Sequence, residues 1–266
     1  MRFVRLAFFA PLGLALAACG NADEASTAAI EGEPIAAIAA PQGSAWRDQV
    51  TRTQLDGYLI GNPDAPLKLV EYGSLTCPTC ARFSEEGFEP LMNDYVNKGT
   101  VSFELRNMPV HGTVDIVLAR LTRCGAPEAV PALSEQVWGN YETIMQPLQT
   151  NQAGLEAAMQ RPMEQRFVAF AEAGNFLDFF AQRGLSEDQA RMCLADVASM
   201  QKLADDAQQQ GEEFDVTGTP TFFLNGQRVD ANTWAALEPA LQRAGARSSG
   251  CHYKAVVGEY SSTSSG

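Results

Sequence analysis

The chain has 266 residues, of which 32 are acidic and 19 are basic, and its formal net charge is -13 at pH 7. This length suits one sizeable domain, with or without an insertion. Because proteins bind phosphate backbones through basic surfaces, we do not expect so acidic a chain to bind nucleic acid.

The N-terminal residues have the pattern of an export signal. A short basic start containing Arg2 and Arg5 precedes an apolar run over residues 6–17, which is shorter than the roughly 20 residues of a membrane-spanning helix. The run ends in Leu-Ala-Ala-Cys and resembles a bacterial lipoprotein signal, so we predict a signal peptide over residues 1–18 and lipidation of Cys19. The alternative is an ordinary secretory signal that is cleaved nearby. Either signal leads to an oxidising compartment.

Three further segments follow from composition. Residues 19–45 are rich in alanine with scattered glutamate and proline, cannot bury much apolar surface, and are predicted to form a flexible tether. A globular domain is predicted over residues 46–245. The tail, residues 246–266, is rich in serine and glycine, contains Cys251, and is predicted to be mobile.

The central stretch of the domain is Cys77-Pro78-Thr79-Cys80. It follows an apolar run that predicts a strand over residues 67–73, and it begins a segment with helical periodicity. A Cys-x-x-Cys at such a junction is typical of a redox-active dithiol. The free N–H groups of the first helical turn stabilise a thiolate, so we predict that Cys77 is the nucleophile and that Cys80, one turn later, resolves a mixed disulfide. Proline suits the first helical position, which needs no donor.

The next elements indicate a sheet that is interrupted by helices. Alternation over residues 101–105 predicts a second strand, parallel to the first because a helix connects them. Residues from about 112 to 211 show no strand signal and are predicted to be an inserted helical subdomain. Within it, Ser186 begins a segment that resembles a capping box, and an apolar stripe from Cys193 onwards predicts one helix that ends at Gly211.

The sheet is predicted to resume after the insertion. Two short segments, residues 221–224 and 227–229, are predicted to be strands, and Asn225-Gly226 between them is a strong signal for a two-residue hairpin turn. An amphipathic helix over residues 234–241 is predicted to close the fold.

Taken together, these segments resemble the DsbA-like branch of the thioredoxin superfamily over roughly residues 50–244. The features that carry the resemblance are the turn Gly61-Asn62-Pro63-Asp64-Ala65-Pro66, an acidic strand residue, the Cys-x-x-Cys, the helical insertion, and Thr219-Pro220-Thr221-Phe222 ahead of Asn225-Gly226. The resemblance implies an α/β thioredoxin fold, in which a central mixed sheet has flanking helices and an inserted helical subdomain.

The resemblance also implies where substrate binds. Pro220 matches the cis-proline of the family, whose loop lies against the dithiol and leaves the backbone of Thr219 free to pair with an extended peptide. Pro78 and Thr79 are then expected to contact the same substrate. An X-Pro bond is cis in only a small minority of cases, so the conformation at Pro220 tests the resemblance.

Two further residues bear on the chemistry. Glu71, six residues before Cys77, matches an acidic residue that the family keeps beneath the dithiol, where it assists proton transfer with Cys80; the alternative is a carboxylate on the surface of the strand. Strong oxidants of the family often have histidine where this chain has Thr79. A hydroxyl brings no positive charge, so the site is expected to be a milder oxidant.

The remaining cysteine and histidine residues have separate interpretations. Cys124 and Cys193 lie on apolar stripes of the inserted helices and either form a structural disulfide or remain buried thiols. His111 is interpreted as a loop residue. With His252 as the only other histidine, the chain offers too few clustered ligands for a metal site, and no cofactor is expected.

The leading hypothesis is an exported, lipid-anchored thiol-disulfide oxidoreductase that oxidises protein thiols on the periplasmic side of a bacterial envelope. In the family, a membrane partner reoxidises the enzyme, and the same is expected here. A reductase or isomerase is the second hypothesis, although residues 20–60 are too short and polar for a dimerisation domain, so a monomer is expected. A zinc or copper carrier that uses the Cys-x-x-Cys, and a binding lipoprotein without turnover, are the third and fourth hypotheses.

Overall fold

The fold comes from a computed structural model that describes residues 32–247. The predicted signal over residues 1–18, the lipidation site Cys19, and the tail residues Cys251 and His252 lie outside the described part of the chain. No helix among the described residues is long and apolar enough to cross a membrane.

A six-stranded mixed sheet forms the centre of the molecule. The strands are β1 (Val50–Arg52), β2 (Tyr58–Ile60), β3 (Leu67–Gly73), β4 (Val101–Asn107), β5 (Thr221–Leu224) and β6 (Gln227–Val229). Their order across the sheet is β1-β2-β4-β3-β5-β6, in which only β3 and β4 are parallel. The predicted strand over residues 67–73 and the predicted hairpin are confirmed, and β3 lies in the middle of the sheet. The dithiol therefore follows a strand that is hydrogen-bonded to a neighbouring strand on each side.

Two edge strands have no counterpart in the sequence prediction. β1 and β2 are three residues each and pair antiparallel, and β2 then pairs with β4. Strands this short carry little periodic signal, because only one or two side chains point to each face. The pairing of β2 with β4, and of β1 with β2, defines their position, rather than a local pattern.

Ten α-helices complete the described part of the fold. They are α1 (Pro78–Leu91), α2 (Thr113–Thr122), α3 (Val130–Gly139), α4 (Tyr141–Thr150), α5 (Gln152–Met159), α6 (Met163–Ala173), α7 (Phe176–Ala181), α8 (Glu187–Ala195), α9 (Val197–Glu213) and α10 (Trp234–Arg243). Helices α2 to α9 lie between β4 and β5 in the chain. Helix α1 is followed directly by a π-helical turn, Met92–Val96, before β4.

The helix boundaries near the end of the insertion differ from the prediction. The capping box at Ser186 is present, but the apolar stripe from Cys193 belongs to two helices, because α8 ends at Ala195. Asp196 then caps α9 by accepting a hydrogen bond from the backbone N–H of Ser199 at 3.1 Å. The predicted helix end at Gly211 was wrong, since α9 continues to Glu213. An apolar stripe reports which face is buried, not whether the backbone is continuous.

Residues 32–45, the second half of the predicted tether, are hydrogen-bonded to the domain. The N–H of Ile35 donates to the carbonyl oxygen of Gly245, and the N–H of Ile38 donates to that of Lys98. The indole N–H of Trp46 donates to the carbonyl oxygen of Ile38 at 2.8 Å. This segment buries little apolar surface of its own, so backbone hydrogen bonds to neighbouring loops provide the attachment that its composition does not reveal.

The main core lies between the sheet and the helices that cover it. Phe83 of α1 packs on Phe222 of β5 with their ring centroids 4.6 Å apart, and both side chains are buried. A Cβ at Gly87 would lie 3.0 Å from the Trp234 side chain, so glycine allows α10 to approach α1 closely. These contacts fix α1, and with it the dithiol, against the central strands.

Candidate active site

The dithiol lies where β3 passes into α1. Cys77 is the N-cap residue of α1, and its Sγ accepts a hydrogen bond from the backbone N–H of Cys80 at 3.4 Å. Pro78 occupies the first turn, which needs no backbone donor there. Both cysteines are free thiols in this structure. The amino end of the helix thus directs a backbone donor at the Cys77 sulfur.

The surroundings of Cys77 favour its thiolate. The pKa of Cys77 is lowered from 9.0 to about 5, chiefly by a hydrogen bond from the Cys80 thiol, while burial acts in the opposite direction. Thr219 and the backbone N–H groups of Cys80 and Thr79 lower the pKa further. As a thiol, Cys77 donates a hydrogen bond to the carbonyl oxygen of Thr219, with Sγ and oxygen 3.2 Å apart. A cysteine with this pKa is ionised at neutral pH and is also a good leaving group.

Cys80 has the opposite character. Its side chain is fully buried, and burial raises its pKa well above the usual value; the hydrogen bond to Cys77 and the charge of Glu71 act in the same direction. Cys80 therefore carries a proton whenever it is not in a disulfide. The two cysteines are chemically distinct although only two residues separate them.

The loop before β5 lies against the dithiol. The Sγ of Cys77 contacts the carbonyl oxygen of Thr219, and the Thr219–Pro220 peptide bond is cis, the conformation that the resemblance implied. Pro220 is buried, Thr219 is half-buried, and Thr79 is half-buried beside an exposed Pro78. These four residues, which the resemblance implied as substrate contacts, thus lie around Cys77.

Glu71 lies beneath the dithiol with its side chain 1% exposed, so the alternative of a surface carboxylate was wrong. Its Oε1 has no hydrogen-bond partner among the described residues. Burial raises the pKa of Glu71 well above its usual value, and the charges of Glu135 and Cys77 raise it further. A buried carboxyl without a partner is neutral at pH 7 and holds a proton that it can give up.

A second buried carboxyl group fixes the loop between β3 and α1. Asp115, in the first turn of α2, accepts hydrogen bonds from the Ser74 hydroxyl at 2.6 Å and from the N–H of Leu75 at 3.0 Å. It also accepts one from the N–H of Val110 at 3.0 Å. Asp115 therefore ties the loop before Cys77 to the loop after β4.

His111, which the sequence predicted to be only a loop residue, belongs to this arrangement. Its Nδ1 lies 2.8 Å from the hydroxyl oxygen of Thr76, the residue directly before Cys77, and 4.0 Å from Asp115 Oδ2. The side chain is 53% exposed, so an imidazole borders the opening of the site. No local signal could have revealed this contact, because 35 residues separate the two partners.

The helical insertion also contacts the active-site loop. The indole N–H of Trp138 in α3 donates to the carbonyl oxygen of Ser74 at 2.9 Å, and the Tyr141 hydroxyl in α4 donates to that of Thr76 at 3.2 Å. These donors satisfy backbone carbonyls of the loop that cannot pair within the sheet. The inserted helices therefore form one wall of the site.

The second cysteine pair is joined in a disulfide, unlike the first. Cys124, just after α2, forms a disulfide with Cys193 of α8, with the Cα atoms 5.8 Å apart. The sequence allowed either a disulfide or two buried thiols at these positions, and the structure contains the disulfide. Residues 32–247 contain no group of three or more histidine, cysteine, aspartate or glutamate side chains that could hold a metal ion.

Comparisons with known proteins agree with this geometry. A family model described as Thioredoxin matches residues 53–243. The chain therefore belongs to the thioredoxin family, and its fold is that of the DsbA-like branch. A disulfide bond formation protein D from Bacillus subtilis is 28% identical over 88 residues, which are 33% of this chain and 38% of that protein. The alignment thus spans less than two fifths of that relative.

Solved structures give broader coverage. A protein-disulfide isomerase from Novosphingobium aromaticivorans is 29% identical, with a TM-score of 0.65 over 70% of this chain and 95% of the other. The α-DsbA1 of Wolbachia pipientis has a TM-score of 0.57 at 19% identity, over 70% of this chain and 89% of the other. The second comparison supports the fold alone, and the first adds a relative that is named for disulfide chemistry.

Proposed function

We propose that this protein is a thiol-disulfide oxidoreductase that oxidises protein thiols through a mixed disulfide at Cys77. The observation that carries the proposal is the contrast between the two thiols, since the pKa of Cys77 is lowered to about 5 while burial raises that of Cys80. Stabilising the Cys77 thiolate stabilises the reduced form of the pair, and a more stable reduced form makes the disulfide a stronger oxidant.

The reaction consists of two exchanges. A substrate thiolate attacks Sγ of Cys77 in the Cys77–Cys80 disulfide, the S–S bond breaks, and the sulfur of Cys80 leaves and takes up a proton. A second substrate thiolate then attacks the substrate sulfur of the mixed disulfide and releases Cys77 as a thiolate. The substrate has lost two electrons and gained a disulfide, and the protein dithiol has gained the two electrons. The low pKa of Cys77 favours its departure in the second exchange.

The test is the reduction potential of the Cys77–Cys80 pair, measured in the whole chain against glutathione buffers. A value near that of strong oxidants, about -120 mV, supports oxidation of substrates, whereas a value near that of thioredoxin, about -270 mV, supports reduction. The variant Cys80→Ser keeps the Cys124–Cys193 disulfide and serves as the control. If wild type and this control give the same titration, the first pair has no reversible couple and the proposal fails.

A reductase or isomerase is the second candidate, because the relative at 29% identity is called a protein-disulfide isomerase. An isomerase must attack a substrate disulfide with a thiolate, and Cys77 is ionised at neutral pH. Reactivation of a substrate with scrambled disulfides by the reduced protein, without added oxidant, distinguishes isomerisation from oxidation. A zinc or copper carrier is disfavoured, since the described residues provide no cluster of ligands around the two thiols.

We further propose that the protein is exported and anchored by a lipid at Cys19, on the periplasmic side of a bacterial envelope. The support is the basic start, the short apolar run and the small residues before Cys19. Incorporation of a labelled fatty acid by wild type and not by Cys19→Ala tests the anchor. A membrane redox partner is proposed as the electron acceptor, and reoxidation of the reduced protein by isolated membranes tests that partner.

A further inference from the structure

The proposed reaction moves a proton between two side chains that are shielded from bulk water. Cys80 is 0% exposed and Glu71 is 1% exposed, so neither reaches bulk solvent. Glu71 also has an unpartnered Oε1. A proton that Glu71 gives to Cys80 must be replaced from elsewhere, and a buried carboxyl cannot exchange quickly with water on its own. The replacement proton therefore needs a route through neighbouring groups.

A carboxyl group of the helical insertion acts on this buried pair through its charge. Glu135 and Trp138 are three residues apart on α3 and therefore share one face of the helix. That face looks towards β3, because a Cβ at Gly73 would lie 3.2 Å from the Trp138 ring and 3.0 Å from Glu71 Oε1. Glu135 thus lies on the helix face that is turned towards β3, and its charge acts on the carboxyl of Glu71.

Helix α1 joins the same cluster. Ser84 lies one turn after Cys80 and on the same face of the helix. Its hydroxyl donates a hydrogen bond to Glu135 Oε2 at 2.5 Å. The dithiol helix therefore holds the Glu135 carboxyl in place through a residue that is aligned with Cys80.

Glu135 also reaches solvent. It lines a cleft of about 380 Å³ between α1, the start of α3 and the segment before β1. Arg47, Asp48 and Glu128 are the other charged residues that line the cleft. Water in this cleft can exchange protons with Glu135 without entering the opening through which a substrate reaches Cys77.

We propose that Glu135 is the second proton carrier of the site and relays protons between Glu71 and the cleft. This inference rests on the proposed oxidoreductase function. When the substrate thiolate breaks the Cys77–Cys80 bond, the departing Cys80 sulfur takes the proton of Glu71. Glu71 is then reprotonated by Glu135, and Glu135 takes a proton from water in the cleft. In the reverse direction each proton moves the opposite way.

The ionisation of the two carboxyls suits this role. Burial raises the pKa of Glu135 to about 8, the hydrogen bond from Ser84 opposes the rise, and the charge of Glu89 adds to it. Burial raises the pKa of Glu71, and the charges of Glu135 and Cys77 raise it further. The charge of Glu71 in turn adds to the raised pKa of Cys80. Both carboxyls therefore hold protons at pH 7, and Glu135 loses its proton as the pH rises through about 8.

The test measures how fast the disulfide form of the protein oxidises a dithiol peptide, as a function of pH, in wild type and Glu135→Gln. The wild-type rate is divided by the Glu135→Gln rate at each pH, because both rates rise alike with the amount of substrate thiolate. This ratio should fall as the pH rises through about 8, since Glu135 then no longer supplies a proton. The variant should be about tenfold slower at pH 7, which is less than a direct general acid contributes because Glu135 acts through Glu71. The ratio of the two rates should approach one well above pH 8.

Glu128→Gln is the matched control, because it removes a carboxyl from the same cleft whose charge is not among those that act on Glu71. It should keep the wild-type rate and pH profile. The alkylation rate of Cys77 should be equal in all three proteins, which separates proton relay from a disturbed helix α1. If Glu135→Gln does not fold, Ser84→Ala takes its place. This variant removes the hydrogen bond to the Glu135 carboxyl, so its rate relative to wild type should change with pH near 8.

The outcomes separate the two proposals. A wild type that does not oxidise the peptide overturns the proposed function. An active wild type with a folded Glu135→Gln of unchanged rate and pH profile overturns the relay and leaves the function intact. An unchanged pH profile in Ser84→Ala, where Glu135→Gln does not fold, overturns the relay as well.

Discussion

The two cysteine pairs of this protein lie in contrasting surroundings. Cys77 and Cys80 are free and differ strongly from each other, because one caps a helix and the other is buried. Cys124 and Cys193 are both half-buried and joined, and the Cys124 sulfur lies 3.2 Å from the carbonyl oxygen of Arg120. The Cys77 sulfur has the same 3.2 Å contact with the carbonyl oxygen of Thr219, but it also accepts a hydrogen bond from the backbone N–H of Cys80, which stabilises a thiolate. The neighbours of each sulfur, more than the presence of two cysteines, distinguish an exchangeable pair from a structural one.

The largest expected effect comes from removing each sulfur of the first pair separately. Cys77→Ser should lose all oxidation of substrate, because no nucleophile or electrophilic sulfur remains at the helix end. Cys80→Ser should instead accumulate a mixed disulfide with substrate, since the resolving thiol is absent. Mass spectrometry under non-reducing conditions checks both. A stable mixed disulfide in Cys77→Ser and none in Cys80→Ser would reverse the assigned roles.

The pH dependence of alkylation provides the next test of the contrast. Because the pKa of Cys77 is lowered to about 5, its reaction with iodoacetamide should rise with pH through about 5 and be level by pH 7. Linkage predicts that the stability of the reduced protein also rises with pH. The stabilisation from the lowered pKa of Cys77 is complete above about pH 9 and is lost as the pH falls through about 5. Cys80 should stay unreactive over this range. A midpoint near 8.5, the usual value for a thiol, would contradict the geometry.

Removal of the second disulfide should affect stability and leave the chemistry unchanged. The double variant Cys124→Ala/Cys193→Ala opens a loop of 69 residues and should lose up to about 4 kcal/mol of unfolding free energy, by loop-closure entropy. Urea denaturation of the oxidised proteins measures the change. The reduction potential of Cys77–Cys80 should stay at the wild-type value, and a large shift would mean that the two pairs are coupled.

The smallest expected effect concerns the side chain at position 79 and the reduction potential of the Cys77–Cys80 pair. Thr79→His places a protonatable ring beside Cys77, where one charge-assisted hydrogen bond should raise the reduction potential by about 30 mV, which corresponds to about 1.4 kcal/mol. The control Thr79→Val removes the hydroxyl without adding charge and should not raise it. Equal potentials in the two variants would show that position 79 does not act through charge.

Local sequence patterns determined the central part of the fold. The strand before the dithiol, the helix that Cys77 caps, and the Asn225-Gly226 hairpin lie where their residues predicted them. Each of these signals is contained in a short segment: an apolar run, a proline at a first helical turn, or a turn dipeptide. The family resemblance then implied a buried Glu71 and the cis bond at Pro220, and the structure has both features.

Tertiary structure alone decided which distant groups act on the dithiol. Asp115, His111 and Trp138 meet the active-site loop from positions 35 to 64 residues away, and the charge of Glu135, on an inserted helix, acts on Glu71. Each of these residues looks like an ordinary helix or loop residue in the sequence. Their ionisation and hydrogen bonding depend on burial and on partners that only the packing of the insertion against the sheet brings together, so no local pattern contains them.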